Sequence, residues 1–301
     1  MTPSLKQNYP IKQRLAVLLV KGLAKLPLSV SQCLGRLFGR LNWWFSKKAV
    51  HFTRTNIAHC LPHLNQTQQN ELAKSSLVSA GELVAELSAT WIWRAKKLAK
   101  LHLEYDNFSV LEEKYKAGKG VLLLSPHLGN WEMLLPLMSR EFEIAAMYKP
   151  PRMEAMDALI RQVREKDGAE VFPANTSGIR SILKAVKAGK LTLLLPDQEP
   201  AENAGVFVPF FNQPAWTMTL PAKIIKKTEC AVVFSVVVRT SVGFKLVIRE
   251  AEDLDLEWSL EALSHKINQQ METLIMEYPE QYQWSYKRFY KQPDNQPQIY
   301  L

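Results

Sequence analysis

A chain of 301 residues is long enough to bury one full core or two small ones, and its 47 % apolar and 22 % charged residues are the balance of a folded protein rather than a disordered one. Thirty-eight Lys and Arg against 29 Asp and Glu leave a net charge of +9, which favours an anionic partner: nucleic acid, anionic lipid or an acidic carrier protein. Cys33, Cys60 and Cys230 lie far apart with no CxxC pair, which argues against a disulfide framework or a zinc site and for a reducing compartment.

Residues 11–45 open with Leu15-Ala16-Val17-Leu18-Leu19-Val20 and close with Trp43-Trp44-Phe45. Lys21, Lys25, Arg36 and Arg40 interrupt the apolar run, so no stretch of about 20 apolar residues spans a bilayer. Leu15–Val20 is also too short for a secretory signal, and no small-residue cleavage site follows it. Pro27 splits the segment into two predicted helices. Cations on one side and Leu, Val and Phe on the other suit helices lying in a lipid interface, with the Trp pair at headgroup level. An amphipathic helix pair docked on the protein's own core has the same pattern. Lys47, Lys48, His51 and Arg54 continue the basic character.

Residues 66–98 predict one long helix or two, with Leu72, Leu77, Val78, Leu83, Val84, Leu87 and Trp91 near helical spacing and Thr67 as a cap. From about residue 100 the pattern alternates. Strands are expected at Val121–Ser125, Phe142–Tyr148, Val171-Phe172, Leu191–Leu195, Val206–Phe211, Ala231–Val238 and Phe244–Ile248. Helices are expected at Met133–Ser139, Met153–Glu165, Ser177–Lys187 and Trp258–Glu277. Such alternation predicts an α/β fold: a central, mainly parallel sheet flanked by helices. The predicted organisation is an N-terminal membrane-associated helical segment, residues 1–50, followed by an α/β domain, residues 51–301. The tail 292–298 is polar and Pro-containing, a loose end.

In parallel α/β sheets, reactive groups collect beyond the C-terminal ends of strands. The run Val121-Leu122-Leu123-Leu124 is a buried strand ended by Ser125-Pro126, and His127-Leu128-Gly129-Asn130-Trp131-Glu132 follows. A histidine with a glutamate five positions on has the parts of a general base and an orienting carboxylate. Five helical residues turn through about 500°, so His127 must sit before the helix and reach across its first turn. Backbone N–H groups near Gly129 and Asn130 are candidates for holding an oxyanion. Lys149 and Arg152 follow the next strand, Arg164 lies on the following helix, and Asp197 follows Leu191–Leu195. Strand ends on one sheet edge can bring these groups to one cleft. Ser125 has no G-x-S-x-G surroundings, so no enzyme nucleophile is expected.

The sequence resembles the lysophospholipid acyltransferase superfamily, most closely the late (lauroyl/myristoyl-type) acyltransferases of lipid A biosynthesis. The matching stations are Arg54-Thr55-Asn56-Ile57-Ala58-His59-Cys60-Leu61-Pro62, His127–Glu132, Tyr148–Arg152, Ile160–Gly168, Pro196-Asp197-Gln198, Gly205–Phe211 and Tyr278–Phe289. Glycerolipid members usually carry an Asp-type acid after the histidine and a later Glu-Gly-Thr-Arg segment. Here the residues are Glu132 and Pro196-Asp197-Gln198-Glu199-Pro200, which argues against a glycerol-3-phosphate or lysophosphatidic acid acceptor.

The resemblance implies a membrane-associated O-acyltransferase at the cytoplasmic face of the bacterial inner membrane. It implies acyl transfer from an acyl-carrier-protein thioester to a hydroxyl of a lipid A precursor, with no cofactor and no metal. His127 and Glu132 are the expected catalytic pair, Glu132 fixing the tautomer of His127. Arg164 is expected to hold an acceptor phosphate or the oxyanion, and Asp197 to orient that arginine or a donor group. Lys149, Arg152 and Asn130 are further substrate contacts. Trp131, Leu134, Leu135 and Phe210 are apolar candidates near the chemistry for an acyl-chain tunnel. Acceptors of another kind (a glycolipid, an aminolipid or a glycerophospholipid) fit the same machinery. A non-enzymatic basic protein at membranes or on nucleic acid fits the charge alone, without zinc-finger spacing or an RNP-type aromatic motif.

Overall fold

The computed structural model describes residues 9–93, 95–98, 100–148, 153–166 and 168–300. Pro10 and Pro27 stand before α1 (Ile11–Leu23) and α2 (Leu28–Phe45), so the expected break falls at Pro27. Ser46 caps α3 (Lys47–Cys60) through its hydroxyl, which accepts from the Ala49 N–H at 3.3 Å. The long α4 (Gln66–Ile92) is capped by Asn65, not Thr67, because Asn65 and Gln68 exchange side-chain and backbone bonds in a capping box. A short α5 (Ala95–Leu98) follows.

The α/β region runs through β1 (Leu103–Asp106), α6 (Phe108–Lys116), β2 (Val121–Leu124) and a 3-10 turn (Trp131–Met133) to α7 (Leu134–Met138). It continues with β3 (Ile144–Tyr148), α8 (Glu154–Lys166), β4 (Glu170–Pro173), α9 (Thr176–Lys187) and β5 (Leu191–Leu194). Next come β6 (Gly205–Phe210), β7 (Gln213–Met218), α10 (Leu220–Thr228), β8 (Ala231–Arg239), β9 (Phe244–Glu250) and α11 (Leu260–Glu277).

Seven strands form one sheet in the order β1-β9-β8-β2-β5-β3-β4. The five from β8 to β4 run parallel. β9 is antiparallel to β8, and β1 is parallel to β9, so one edge is reversed. The four-residue runs of β2 and β5 are buried throughout, as central parallel strands covered on both faces must be. Alternate residues feed opposite layers. Leu122 and Leu124 join a core with α9, α10 and α11, whereas Val121 and Leu123 join one with α6 and α7. Burial of each such leucine is worth about 1.5–3 kcal/mol.

Two expectations need correction. The strand at Val206–Phe211 is outside the main sheet: β6 pairs only with β7 in a separate antiparallel hairpin. Its two-residue turn places Phe211 and Asn212 at φ 50° and 59°, without the Asn-Gly signal that announces such turns. The elements α3, β1, α6, β7 and α10 were not expected at all. β1 reads Leu-Glu-Tyr-Asp, a half-exposed edge strand whose apolar–polar alternation is only four residues long.

α2 docks on α4 by an unusual face. Its inward residues are Ser31, Gly35 and Gly39. A Cβ on Gly35 would lie 2.6 Å from the Gly81 carbonyl oxygen, and one on Gly81 would lie 2.3 Å from the Gly35 oxygen, so the two backbones touch. The apolar stripe Val30, Leu34, Leu37, Phe38, Leu41, Trp44 and Phe45 faces outward and is exposed. α1 adds exposed Ile11, Leu15, Leu18 and Leu19, while its Val17 packs with α8 residues Ala155, Met156, Leu159 and Ile160. No helix among the described residues is long and apolar enough to cross a membrane.

Candidate active site

His127 and Asp197 come from neighbouring strands. Leu124 of β2 is the register partner of Leu194 of β5, and each functional residue lies three positions beyond its leucine. Strand spacing near 4.8 Å therefore brings the two loops together. Nδ1 of His127 stands 2.6 Å from Oδ1 of Asp197, and the His127 backbone N–H donates to Oδ2 at 2.8 Å. Asp197 is buried. Burial pushes its carboxyl up, but the charge and hydrogen bonds of His127, helped by Arg288, outweigh it and hold Asp197 below the usual carboxylate range. With Nδ1 committed, the ring presents Nε2, which has no hydrogen-bond partner among the described residues. Trp131 packs edge-on against the imidazole at 4.9 Å between centroids.

The loop holding His127 is clamped by segments distant in sequence. Gln283 N–H donates to the His127 carbonyl at 3.0 Å, Gly129 N–H to the Gln281 carbonyl at 3.0 Å, and Asn130 N–H to the Val237 carbonyl at 2.7 Å. Gly129 sits at φ 64°, and a Cβ there would fall 2.1 Å from the Val237 oxygen, so only glycine fits. Gln281 in turn caps the end of β8: its side chain accepts from the Arg239 N–H and donates to the Arg239 carbonyl. Two stations of the sequence meet behind this clamp, since the Asn56 amide donates to the Trp284 and Tyr286 carbonyls.

Glu132 lies on the 3-10 turn and faces α4 and α8. Both its oxygens accept from Nη2 of Arg164, at 2.9 and 2.8 Å, and Oε2 also accepts from the Trp91 indole N–H at 3.0 Å. Burial pushes the Glu132 carboxyl up, but Arg164 first, then Trp91 and the nearby His127 ring, hold it below its ordinary value. Arg164 also approaches the Tyr148 ring, 5.8 Å from its centroid. Beside this pair a small crevice lined by Thr90, Trp91, Pro136 and Val163 encloses about 10 Å³.

Several expected roles change on this geometry. Glu132 does not fix the His127 tautomer through Nδ1; Asp197 occupies that position, because register places it there while the 3-10 turn carries Glu132 toward α8. Asp197 consequently orients the histidine rather than Arg164. Asn130 is fully buried and donates to Glu86 at 2.9 Å and Thr90 at 3.3 Å, so its amide braces the loop rather than touching substrate. The N–H groups of residues 127–130 are all engaged within the protein, which removes them as oxyanion donors. The apolar tunnel candidates divide: Leu134 and Leu135 lie in the core under α7, Phe210 lies in the opposite core, and only Trp131 meets His127. Lys149 and Arg152 lie outside the described residues. The Ser125 hydroxyl is buried and donates to the Pro126 carbonyl.

A second network was not foreseen. Glu86 of α4 is fully buried, and its carboxylate accepts from Arg239 Nε and Nη2, each at 2.8 Å, from the Asn130 amide, and from Gln32 at 2.8 Å. It ties α2, α4, the end of β8 and the His127 loop together. A glutamate within a run of helix-compatible residues gives no sign in sequence that it is buried.

The site is thus a half-buried imidazole on a buried carboxylate beyond the ends of two parallel strands. Residues 4–291 match the family described as bacterial lipid A biosynthesis acyltransferase. The chain belongs to that family. It is 26 % identical over 261 residues to a lipid A biosynthesis acyltransferase of Haemophilus influenzae, covering 83 % of this chain and 79 % of that one. It is 23 % identical over 283 residues to the lipid A biosynthesis lauroyltransferase of Escherichia coli, covering 92 % and 90 %. It is 24 % identical over 261 residues to the myristoyltransferase of the same organism, covering 84 % and 78 %. Among solved structures, the 1-acyl-sn-glycerophosphate (LPA) acyltransferase of Thermotoga maritima aligns with a TM-score of 0.37 and 11 % identity, covering 84 % of this chain and 98 % of that one. As a lipid A acyltransferase, the protein is an O-acyltransferase, and the imidazole of His127 stands among residues of the chemical types such a reaction needs.

Proposed function

We propose that the protein transfers a fatty acyl chain from an acyl-carrier-protein thioester to a hydroxyl of a lipid A precursor, with His127 as general base, at the cytoplasmic face of the bacterial inner membrane. The observation that carries this reading is the 2.6 Å contact between His127 Nδ1 and Asp197, which leaves Nε2 as the basic atom. An alcohol is a poor nucleophile while it keeps its proton. Nε2 takes that proton as the acceptor oxygen attacks the thioester carbonyl. The oxyanion then collapses, the C–S bond breaks, and the departing thiolate takes the proton back from the imidazolium. Asp197 keeps Nδ1–H directed and offsets the ring's transient charge. No group on the enzyme is acylated and no cofactor takes part.

Arg164 uses only Nη2 toward Glu132. Its remaining donors are the proposed contacts for the oxyanion or an acceptor phosphate, a role suited to the planar guanidinium. Glu132 holds Arg164 in place and adds negative potential near the imidazolium. Lys149 and Arg152, which follow β3 in sequence, are proposed as additional anion contacts.

Residues 1–50 are proposed as the membrane-associated segment and 51–301 as the acyltransferase domain. The outward apolar stripe of α2, continued by α1, with Arg40 and Lys25 at its border, has the character of a monotopic face lying in an anionic interface. Trp43 is held by the Arg54 guanidinium, 4.7 Å from its ring centroid.

The deciding experiment offers the purified full chain acyl-carrier-protein and acyl-CoA donors against lipid A precursor and glycerophospholipid acceptors. Transfer from the carrier to the lipid A precursor, abolished in His127→Ala, is the expected result. Transfer to glycerophospholipid alone, or undiminished transfer by His127→Ala, overturns the reading. Deleting residues 1–45 should move the protein from the membrane to the soluble fraction; a full chain already soluble without detergent refutes the membrane assignment.

A further inference from the structure

α9 and α10 pack side by side and together carry Arg180, Lys184, Lys187, Lys223, Lys226 and Lys227, with no Asp or Glu in either helix. Arg180, Lys184 and Lys187 follow the i, i+4, i+7 spacing of one helical stripe, and Lys223 and Lys227 are four apart on the facing helix. Between the helices lies a groove of about 540 Å³ floored by Ile179, Leu183, Leu220, Ile224 and Leu260. Lys226 is fixed on its wall by bonds to the Leu256 and Trp258 carbonyls. Lys184, Lys223 and Lys227 are exposed and have no ion-pair partner among the described residues. The acids nearest in sequence to the groove lie outside both helices: Glu202 before Ala204, Glu229 after α10, and Glu257 and Glu261 around Leu260.

An apolar trough between two cationic rails is complementary to one kind of partner: an amphipathic helix with acidic flanks. We propose that this groove docks an acidic helix of the carrier protein that brings the acyl thioester, an inference that rests on the carrier being the donor. Position supports it. The loop leaving β5 carries Asp197 at the reactive centre and reaches Ala204 on the groove wall seven residues later, so the two lie within about 25 Å at full extension. That span suits a carrier whose thioester hangs on a long flexible arm. The exposed apolar stripe belongs to α1 and α2, whose main packing partners are α3, α4 and α8, so a protein seated on α9 and α10 and a membrane seated on α1 and α2 occupy different surfaces.

The test uses the full chain and the double variant Lys223→Glu/Lys227→Glu, neither residue being part of the catalytic or membrane machinery. Two readouts are taken: the KM for an acyl thioester borne on the carrier against that of the same acyl chain on a small pantetheine thioester, and direct titration with carrier protein lacking the acyl group. The expected result is a rise of about tenfold or more in KM for the carrier-borne donor, equally weakened titration, and unchanged use of the small thioester. An unchanged carrier KM and titration overturn the docking site, as does an equal loss with both donors. Loss of binding to anionic vesicles with carrier affinity intact assigns the lysines to lipid and also overturns it. If wild type transfers no acyl group to any acceptor, the functional reading fails, while the titration still decides the docking site on its own.

Discussion

His127 and Asp197 occupy equivalent positions on adjacent parallel strands, each three residues past the register pair Leu124–Leu194, and their side chains meet at 2.6 Å. A carboxylate fixed by sheet register and bonded to both the backbone and the ring of its histidine leaves the imidazole one orientation. Asp197→Asn should therefore lower turnover by about 10²–10⁴-fold while the chain still folds, since the amide keeps the size but neither the charge nor the preference for Nδ1–H. Circular dichroism and initial rates would check this. Near-wild-type rates for Asp197→Asn would remove Asp197 from the mechanism.

Glu132 and Arg164 form a tight pair, 18–19 % exposed, so their effects should not add. Glu132→Gln and Arg164→Gln each leave a partly buried partner without its counter-charge. A double-mutant cycle on stability is expected to give a coupling of about 0.5–3 kcal/mol. In kinetics, Arg164→Gln should lower kcat if the guanidinium holds the oxyanion and raise KM if it holds an acceptor phosphate. Activity indifferent to both substitutions would make the pair purely structural.

The buried Glu86–Arg239 pair is a stability element linking four parts of the chain. Glu86→Ala should cost about 3–5 kcal/mol, because it leaves the Arg239 charge buried without a partner and frees the Asn130 amide. Denaturant unfolding measures this directly. A midpoint equal to wild type would show that Arg239 finds another partner at no cost.

Asp197 and Glu132 both have folded-state ionisations below their ordinary values. The ionised forms therefore favour the fold. Their contribution is fully present above the ordinary carboxylate range, near pH 4, and is lost as the pH falls through the lower folded values. Thermal unfolding followed from neutral to acid pH should decline below about pH 4, more shallowly in Asp197→Asn than in wild type. Parallel curves for the two proteins would contradict the depressed ionisation of Asp197.

Much of the fold was legible from short-range pattern. Apolar runs of four or five residues marked β2 and β5, helical spacing marked α8, α9 and α11, and Pro27 divided α1 from α2. β1 escaped because its alternation is only four residues long and half exposed, and α3 because a mainly polar helix carries weak periodicity. The β6–β7 hairpin escaped because Phe211 and Asn212 give no ordinary turn signal. The face of α2 was ambiguous in sequence: an apolar stripe can face a core or leave it. Glycine contacts decide the matter, since Gly35 and Gly81 let the small side of α2 approach α4 and turn the large apolar side outward.

The reactive site divides in the same way. Residue types and spacings along single stretches of chain were enough for the α/β class, the family stations and the histidine at a strand end. They also suggested the nearest acid, Glu132, as the histidine's partner. It took the folded arrangement to give Nδ1 to Asp197, seventy residues away, to give Glu132 to Arg164 and Trp91, and to set Gln281 and Gln283 against the loop. The reason is physical: a hydrogen bond depends on distance and direction in space, and those were set by strand register and by a glycine at positive φ, neither of which is written in local sequence.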